Sequence, residues 1–427
     1  MSSSSQDNRS VVTATGAGVL LVAYHFPPDA SSTGRLRTLG FARHLPACGW
    51  QPVVLAPSSR AYERVDRQGL ADIPSELPVY RTAAFDARRH MGWRGRYWAL
   101  SATPDRWISW WPSAIAKGLV LIRRHNIQAI WSTYPIGTTH LIALTLSRLT
   151  GLPWVADFRD PVVPAGTAIQ KRAMSAVETR TFSRASAAVF TTPGARARYA
   201  ERYPDFASGN RLHVIPNGFE ADSVARLDRQ TTPGTDDTVR LVHSGLLYPE
   251  GRNPGPFFKA LALLMRDGRI DGERLNVTLR ASGSEPVYQA IIDELGLGDI
   301  VQLASPIPYR DALKEQGEAH ALLLFQGGEF NAQIPAKIFE YLRIGRPVFA
   351  LVDEAGDTAA LLEQTGGAEV APIDNVHAIA GALDRFIESI RLEQAPCVDD
   401  NVLEKYTRRA CAEHLAQILR SVTENRT

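Results

Sequence analysis

Short apolar runs alternate with longer amphipathic runs along most of the chain, and this alternation constrains the fold more than any other feature. The first apolar run, residues 19–24, is followed by a loop over residues 25–34 and by a helix that begins near Arg35. This order is typical of βαβ units and indicates a parallel sheet. The alternation stops at a Gly-, Pro-, Thr- and Asp-rich stretch, residues 231–238, and restarts at residue 239. Because such a stretch marks a break between elements, the sequence predicts two doubly wound domains in succession.

The remaining elements follow the same pattern. Further strands are predicted at residues 53–56, 129–133, 153–157, 187–192, 212–216, 239–243, 275–281, 301–304, 321–325, 348–352 and 369–371. Further helices are predicted at residues 114–124, 140–149, 257–265, 286–295 and 402–422. In doubly wound domains ligands bind beyond the carboxyl ends of the strands, so a cleft between the two domains is the expected active site.

The length of 427 residues also favours two domains. Residues 1–18 are rich in Ser, Thr and Gly, and we expect them to be disordered. Residues 19–225 are expected to form an N-terminal Rossmann-like domain, and residues 226–395 a C-terminal one. Residues 396–427 contain the last predicted helix.

Composition argues against several classes of protein. The net charge of +2 gives no reason to expect nucleic acid binding. The three cysteines, Cys48, Cys397 and Cys411, lie far apart, which fits a reducing compartment and provides neither a zinc site nor a disulfide framework. No stretch approaches the ~20 apolar residues of a membrane-spanning helix, and the run at residues 19–24 is too short for a signal sequence. We therefore expect a cytoplasmic protein that is not integral to a membrane.

Residues 333–347 form the motif that says most about ligands. A Pro-containing loop opens a short helix that carries Lys337 and, three residues later, Glu340, and Gly345 ends this helix. A helix N-terminus offers free N–H groups to an anion, and residues spaced i, i+3 share one face. A cation for phosphate and a carboxylate for ribose hydroxyls would suit a nucleoside diphosphate. The alternative is a surface helix with a solvated ion pair.

Two glycine turns follow predicted strands. Gly34 begins the first helix and would let a ligand approach the backbone, while Arg35 adds a cation; Gly34 could equally be a turn residue only. In the second domain, Gly245 follows the first strand, and Arg252 precedes the next helix. Arg252 could form charge-assisted bonds to a phosphate, or be a solvated loop arginine.

Polar side chains also follow the strand at residues 153–157. Asp160 could orient or deprotonate a hydroxyl group, and Arg159 could hold an anion or fix the carboxylate. The alternative is that Asp157 or Asp160 only caps the next turn.

Arginine and aromatic residues are interleaved over residues 88–111. The stretch contains Arg88, Arg89, Trp93, Arg94, Arg96, Tyr97, Trp98, Arg106, Trp107, Trp110 and Trp111. Rings together with cations suit a membrane interface with anionic head groups. The alternative, which we weigh equally, is that the tryptophans pack in the core.

Taken in order, these elements resemble a retaining glycosyltransferase of family 4, the bacterial surface-polysaccharide type, whose members have the GT-B fold. The resemblance extends from residue 19 to about residue 419. The matching segments are residues 24–35, 133–137, 153–161, 214–219, 243–254 and 335–347. It implies two doubly wound, Rossmann-like domains that face a cleft, with a C-terminal helix that crosses back to the N-terminal domain.

The resemblance also implies a donor and an acceptor. The donor would be a nucleotide-diphosphate sugar, bound mainly by the C-terminal domain, and the acceptor would be a glycan or polyprenyl-linked molecule on the N-terminal domain. No metal or other cofactor is expected. Glu340 would hold the ribose hydroxyls, Lys337 would lie near the diphosphate, and Arg252 would replace the family's phosphate-binding lysine. The full set of implied donor-binding residues is Gly34, Arg35, Gly245, Arg252, Ile307, Lys337, Ile338 and Glu340.

Two positions depart from the family pattern. The family pairs two glutamates eight residues apart, but the residue eight before Glu340 is Ala332. The arginine that usually follows the glycine turn is Leu246 here. Residues that might replace the missing glutamate are Glu329, Asn331 and Gln333.

The sequence thus leads to a retaining hexosyltransferase of polysaccharide or glycoconjugate biosynthesis, with Asp160 and Arg159 as its candidate catalytic residues. A covalent nucleophile is not assigned. Two alternatives stay open: a sugar-nucleotide 2-epimerase with the same architecture, and a non-catalytic partner subunit, which the two departures would suit.

Overall fold

The computed structural model describes residues 16–90, 102–162, 166–221 and 238–424. The chain divides into two compact units. The first comprises Met1–Asp157, Val162–Ala187 and Ala412–Thr427, and the second comprises Phe158–Pro161 and Ala188–Cys411. The end of the chain therefore belongs to the first unit, as expected for a C-terminal helix that crosses back.

The first sheet has seven strands. In chain order they are β1 (Ala17–Val22), β2 (Trp50–Pro57), β3 (Val79–Thr82), β4 (Ile127–Thr133), β5 (Trp154–Phe158), β6 (Ala187–Phe190) and β7 (Leu212–Val214). Their order across the sheet is β3-β2-β1-β4-β5-β6-β7, and the pairings of β1 with β2 and with β4 are parallel.

The second sheet has six strands. They are β8 (Val239–Ser244), β9 (Leu275–Arg280), β10 (Val301–Ala304), β11 (Ala321–Gln326), β12 (Val348–Val352) and β13 (Ala368–Pro372). Their order is β10-β9-β8-β11-β12-β13, and β8 pairs in parallel with both β9 and β11. In each sheet the strand order reverses beside the first strand, which is the doubly wound topology. The prediction of two Rossmann-like domains is confirmed.

Helices connect the strands. In chain order they are α1 (Gly34–His44), α2 (Ala87–His90), α3 (Trp110–Arg124), α4 (Gly137–Thr150), α5 (Ala168–Arg184), α6 (Pro193–Arg202), α7 (Pro204–Ser208), α8 (Gly255–Arg266), α9 (Glu285–Glu294), α10 (Tyr309–Glu318), α11 (Lys337–Ile344), α12 (Asp357–Thr365), α13 (Val376–Arg391), α14 (Asp400–Leu403) and α15 (Arg408–Glu424). Within the described ranges, none of these helices is both long enough and apolar enough to cross a bilayer.

The second sheet is buried on both faces, as a parallel sheet requires. Alternate residues of β11 point to opposite sides: Leu323 packs in a core with α8, α9 and α13, whereas Leu322 and Leu324 pack in another with α11. Helix α11 contributes Ile338 and Leu342 to this second core. Burial of this apolar face fixes the rotation of α11 and thereby the positions of the polar residues at its start.

Several boundaries differ from prediction. Residues 1–15 of the segment expected to be disordered lie outside the described residues, whereas Ala17 and Gly18 already belong to β1, where they pair with β2. A Cβ at Gly18 would lie 2.6 Å from the carbonyl oxygen of His125. Glycine is therefore suited to this position of the strand, because the backbone of residues 125–127 approaches it closely.

The predicted C-terminal helix over residues 402–422 is interrupted. Helix α14 is followed by a 3-10 turn over Glu404–Tyr406 and by extended backbone at Thr407, with φ −67° and ψ 147°. The Thr407 hydroxyl accepts a hydrogen bond from the Ala410 N–H at 3.2 Å, so it caps α15. Thr407 therefore divides the predicted helix and caps the start of α15.

Three tryptophans of the stretch at residues 88–111 fall within the described residues, and all three contact the first unit. Trp110 is fully buried, Trp107 packs on the ring of Tyr24 at 4.7 Å, and Trp111 donates to the Thr145 hydroxyl at 3.1 Å. The core-packing alternative therefore holds for Trp110, whereas Trp107 and Trp111 pack against the first unit and remain partly exposed. Trp93, Arg94, Arg96, Tyr97 and Trp98 lie outside the described residues.

Candidate functional site

Lys337 lies at the carboxyl end of β8. Its Nζ donates a hydrogen bond to the Ser244 carbonyl oxygen at 2.8 Å and lies 3.3 Å from Nε2 of His243. Gly245 makes room for this side chain, because a Cβ there would lie 2.9 Å from Nζ. Its φ of +118° is also a conformation that favours glycine. The positive φ therefore favours glycine at this turn, and the absence of a Cβ leaves room for Nζ of Lys337.

His243 is fully buried beneath Lys337. Its Nδ1 lies 2.8 Å from the Leu323 carbonyl oxygen, and its Nε2 lies 3.1 Å from that of Gly245. Both oxygens can only accept; the shorter contact, together with Nζ of Lys337 as a donor beside Nε2, places the ring proton on Nδ1. Burial, followed by the charge of Lys337, holds the imidazole pKa well below its ordinary value. A neutral ring with its Nε2 lone pair toward Nζ is therefore compatible with the nearby ammonium group.

Arg252 supplies a second cation to the same region. Its Nε donates to Oε1 of Gln326 at 3.0 Å, and its guanidinium group contacts the rings of Tyr248 and Phe330, with centroid distances of 5.2 and 5.3 Å. Burial lowers the pKa of the Arg252 guanidinium. Burial also lowers the pKa of Lys337 to about 7, and the charge of Arg252 adds to this effect.

The two cations lack an ion-pair partner in the described part of the chain. Among the residues that the structure describes, neither Arg252 nor Lys337 forms an ion pair with a carboxylate. The charge of Glu340 acts on Lys337 without forming an ion pair. Desolvated positive charge that is not paired is unfavourable, and an anion that enters the site would supply a partner. The arrangement is therefore suited to bind a phosphate-type anion.

Gln326 belongs to the site but is not among the sequence-predicted residues. It is the last residue of β11 and is 2 % exposed. Besides accepting from Arg252, its Nε2 donates to the carbonyl oxygens of Gln333 at 3.3 Å and Phe330 at 3.5 Å. A polar residue that ends an apolar run at the carboxyl edge of a sheet is the signal that could have identified it.

Glu340 lies one turn after Lys337, and the structure excludes the alternative of a solvated ion pair between the two residues. Instead, its Oε1 accepts a hydrogen bond from the Tyr309 hydroxyl at 2.8 Å. Burial raises the pKa of Glu340, although the Tyr309 bond and the charge of Arg408 oppose this shift. The side chain remains partly exposed, so the carboxylate is accessible to a ligand.

Arg408, the first residue of α15, also lies beside Glu340, and sequence reasoning missed it. Its Nε donates to the Gly218 carbonyl oxygen at 3.3 Å, and its Nη1 lies 3.7 Å from Oε1 of Glu220. The charges of Glu220 and Glu340 both favour its charged form, although burial lowers its pKa. Its distance in sequence from Glu340 left no local signal.

The two isoleucines of the predicted set have different surroundings. Ile307 is exposed in the loop before α10. Ile338 is fully buried in the core beneath α11, and its N–H donates to the Pro335 carbonyl oxygen at 3.1 Å. The Ile338 side chain is therefore not available to a ligand.

Ala332 and Leu246, the two departures from the family pattern, have different surroundings. Ala332 is buried, and its carbonyl oxygen accepts from the Thr192 hydroxyl at 2.8 Å. Leu246 is 60 % exposed. Of the candidate replacements for the missing glutamate, Asn331 uses its amide to bind Asp353 at 3.0 Å.

The other two candidate replacements differ in exposure. Glu329 is exposed, and its Oε2 lies 3.0 Å from the position that a Cβ at Gly251 would take. Gln333 is partly buried, and its carbonyl oxygen accepts from Gln326. Glu329 is thus the candidate whose carboxylate adjoins the Arg252 turn.

Gly34 and Arg35 lie in the first unit. Gly34 is the first residue of α1, as predicted, and its N–H donates to the Ser32 hydroxyl at 3.1 Å. Arg35 donates to the Ser32 carbonyl oxygen at 3.5 Å. Their assignment to donor binding stays a prediction.

Asp157, near the end of β5, and Asp160, which follows the strand, differ in burial. Asp157 is fully buried, and its two oxygens accept from Arg37 at 2.8 and 3.0 Å, so it anchors α1 instead of capping a turn. Asp160 is about half exposed and lies 3.7 Å from Nε of Arg159. The catalytic roles of Asp160 and Arg159 stay predictions, as does the metal-free mechanism; the described part of the chain contains no cluster of metal-ligating side chains.

Comparison with known proteins gives a family-model match and a set of structural relatives. Residues 33–218 match the model of the Glycosyl transferase 4-like domain, and no curated protein matches the sequence. Sucrose-phosphate synthase from Thermosynechococcus elongatus is 14 % identical, with a TM-score of 0.63 over 96 % of this chain and 100 % of that chain. HepE from Anabaena, solved in complex with UDP-glucose, is 14 % identical, with a TM-score of 0.57 over 96 % and 98 %. UDP-GlcNAc 2-epimerase from Methanocaldococcus jannaschii is 11 % identical, with a TM-score of 0.55 over 95 % and 99 %.

At these identities the solved structures report on the fold alone. They share it over almost the whole of this chain, so the predicted GT-B fold is confirmed. The two-domain, parallel-sheet chain thus has a GT-B fold, and residues 33–218 match a glycosyltransferase 4-like domain.

Proposed function

We propose that this protein is a glycosyltransferase that moves a sugar from a nucleotide-diphosphate donor to a glycan or polyprenyl-linked acceptor, with retention of anomeric configuration. The observation that carries the proposal is the pair of desolvated cations, Arg252 and Lys337, without a carboxylate partner among the described residues. The diphosphate of a nucleotide sugar would supply the negative charge. UDP-glucose bound to the structurally similar HepE illustrates such a donor on this fold.

The chemistry requires stabilisation of the leaving group. Departure of the nucleoside diphosphate leaves positive charge on the anomeric carbon and adds negative charge to the outer phosphate. Arg252 and Lys337 would stabilise the departing diphosphate, because positive groups placed where negative charge develops lower the barrier. Attack by the acceptor hydroxyl on the same face, with its proton passing to the leaving phosphate, gives retention without an enzyme nucleophile. Asp160 and Arg159 are proposed to orient that hydroxyl.

Glu340 is proposed to bind the ribose of the donor. Its carboxylate is partly exposed and already accepts one hydroxyl hydrogen bond, from Tyr309. Ribose hydroxyls can donate in the same way, to the oxygen that Tyr309 leaves open or in place of Tyr309. The exposed Ile307 precedes Tyr309 by two residues and would flank the base.

Association with the inner face of a membrane stays a proposal of its own. Of the described residues in the stretch 88–111, Trp110 is buried, whereas Arg88 and Arg89 are exposed and Trp107 and Trp111 are partly exposed. Co-sedimentation with anionic and neutral vesicles tests it, and no binding to either kind would refute it.

A sugar-nucleotide 2-epimerase is the second candidate, because an enzyme of this activity shares the fold. A non-catalytic partner subunit is the third, because Ala332 and Leu246 replace charged family residues. The match of residues 33–218 to a glycosyltransferase 4-like domain favours the transferase over the epimerase.

A thermal-shift panel of UDP, GDP and ADP and of their sugars tests the proposal first. A ligand that binds only the folded protein raises its melting temperature, so the largest shift identifies the donor. We expect Arg252→Leu to remove the shift caused by the diphosphates and to leave that of the bare nucleosides unchanged. An exposed arginine of the same unit, Arg266, provides the matched control as Arg266→Leu.

Product analysis with the selected donor then separates the three functions. A transferase releases the nucleoside diphosphate, by transfer or by slow hydrolysis, whereas an epimerase yields an isomerised nucleotide sugar without release. Binding without any turnover would support the partner subunit. A panel without any shift would refute the proposed donor site.

A further inference from the structure

Gln326 connects the two cations of the anion site. On one side it accepts from Nε of Arg252 at 3.0 Å. On the other side its Nε2 donates to the carbonyl oxygens of Gln333 and Phe330, at 3.3 and 3.5 Å. Residues 330–333 belong to the loop that leads directly into α11, whose first residue is Lys337. One buried amide is thus bonded to one cation and to the loop that positions the other.

The orientation of Arg252 is determined from three sides. Tyr248 and Phe330 contact the guanidinium group through their rings, and Gln326 holds its Nε. The hydrogen-bond donors that remain are those on the two Nη atoms, which form a fork suited to phosphate oxygens. Because Nε is held, the fork is fixed before a ligand arrives.

The loop before Lys337 is held by further bonds. The Gly327 N–H donates to the Gly251 carbonyl oxygen at 2.6 Å, and Thr358 donates to the Gln333 carbonyl oxygen at 3.1 Å. The first bond holds the backbone before the residues that Gln326 contacts, and the second holds Gln333, which is one of them. Gln326 is the side chain that joins this loop to Arg252 through hydrogen bonds.

We propose that Gln326 is a positioning residue that fixes the separation between Arg252 and Lys337, and so makes the site select a diphosphate over a monophosphate. Arg252 and Lys337 are close enough for their charges to act on each other. A diphosphate can place one phosphoryl group against each cation, whereas a monophosphate has only one phosphoryl group to share between them. Holding the two cations in fixed positions is therefore expected to favour binding of a diphosphate over binding of a monophosphate. This inference rests on the proposed function, since it concerns the anion of the same donor.

The test compares a nucleoside diphosphate with the matching monophosphate, using the base that the thermal-shift panel selects and inorganic pyrophosphate as a probe without a nucleoside. We expect Gln326→Leu to weaken diphosphate and pyrophosphate binding about tenfold or more, and monophosphate binding by less than about twofold, as for a lost charge-assisted contact. The ratio of the two affinities is the measured quantity, because general damage to the fold would lower both equally.

A double-mutant cycle with Arg252→Leu decides whether Gln326 acts through the arginine. In the Arg252→Leu background, Gln326→Leu should have almost no further effect on diphosphate affinity, since coupled residues are not additive. Gln316 offers the matched control: it is a buried glutamine of the same unit, in α10, and Gln316→Leu should leave the affinity ratio unchanged.

The outcomes separate this inference from the proposed function. A wild-type protein that binds no nucleoside diphosphate and no pyrophosphate refutes the donor site itself, and the inference with it. A wild-type protein that binds diphosphates normally, with an unchanged ratio in Gln326→Leu or with additive effects in the cycle, refutes only the role of Gln326.

Discussion

We expect nucleotide-sugar binding to take up a proton at Lys337. In the unliganded protein, burial and the charge of Arg252 lower the Lys337 pKa from 10.5 to about 7. A bound diphosphate would bring negative charge to Nζ and return this pKa toward its ordinary value. Below pH 7 the lysine is charged before and after binding, and above pH 7 it is neutral before binding and charged afterwards. The affinity should therefore be highest below pH 7 and fall as the pH rises.

The size of the effect follows from the two pKa values. With a pKa of about 7 in the free protein and about 10.5 in the complex, binding takes up about one proton at pH 8.5 and about 0.1 proton at pH 6. Between pH 6 and pH 9 the affinity should fall about 90-fold, which corresponds to about 2.7 kcal/mol. A nucleotide sugar is the appropriate ligand, because its diphosphate, unlike that of a free nucleoside diphosphate, does not titrate in this range.

Isothermal titration calorimetry in two buffers with different ionisation enthalpies measures the proton uptake directly. Lys337→Met should bind weakly and lose both the uptake and the pH dependence, whereas Lys337→Arg should bind without pH dependence in this range. Lys259, an exposed lysine on α8, gives the control Lys259→Met, which should behave as wild type. Binding that is equally strong at pH 6 and pH 9, or proton uptake that persists in Lys337→Met, would refute the reasoning.

Three substitutions test other parts of the structure. Gly245→Ala should cost about 1–3 kcal/mol of stability, because of its positive φ, and should weaken diphosphate binding, because the new Cβ displaces Nζ of Lys337; unchanged denaturation and titration curves would contradict this. Arg37→Met should cost about 3–5 kcal/mol in chemical denaturation, since it leaves Asp157 buried without its partner, and a loss below about 1 kcal/mol would show the pair to be unimportant. Glu340→Gln should weaken binding of the ribonucleotide about tenfold or more while barely changing that of its 2′,3′-dideoxy analogue; equal losses for both would remove the ribose assignment.

Periodicity predicted the buried parts of the fold well. The predicted strand at residues 301–304 is β10 without change, and the predicted run at residues 321–325 is β11 up to one residue. Buried parallel strands are continuous apolar runs, which stand out in a sequence. By contrast, β3 (Val79–Thr82) was not predicted, because it is an edge strand whose residues are only partly buried. The helices that were also not predicted are α2, α5, α6, α7, α10, α12 and α13.

The candidate site was predictable where one motif carried it. Lys337 and Glu340 lie on one helix, as their spacing predicted. The contact of the Gly245 turn with Lys337 is a finding of the structure. The partners that orient these residues were not predictable. Gln326 ends an ordinary apolar strand, and Arg408 contacts the Glu340 region from a helix almost 70 residues later. Such contacts depend on tertiary packing, which local patterns do not encode.

The extended backbone at Thr407 has a consequence for the end of the chain. Phe219 forms a short parallel bridge with Thr407, and Arg408 follows directly, with its charge acting on Glu340. Proteolysis or truncation that removes Arg408 and the residues after it would thus take a positive charge away from Glu340, which lies far upstream in the sequence. If Glu340 binds the ribose of the donor, as proposed, versions of the chain that lack Arg408 are expected to differ in nucleotide affinity even where both sheets are kept.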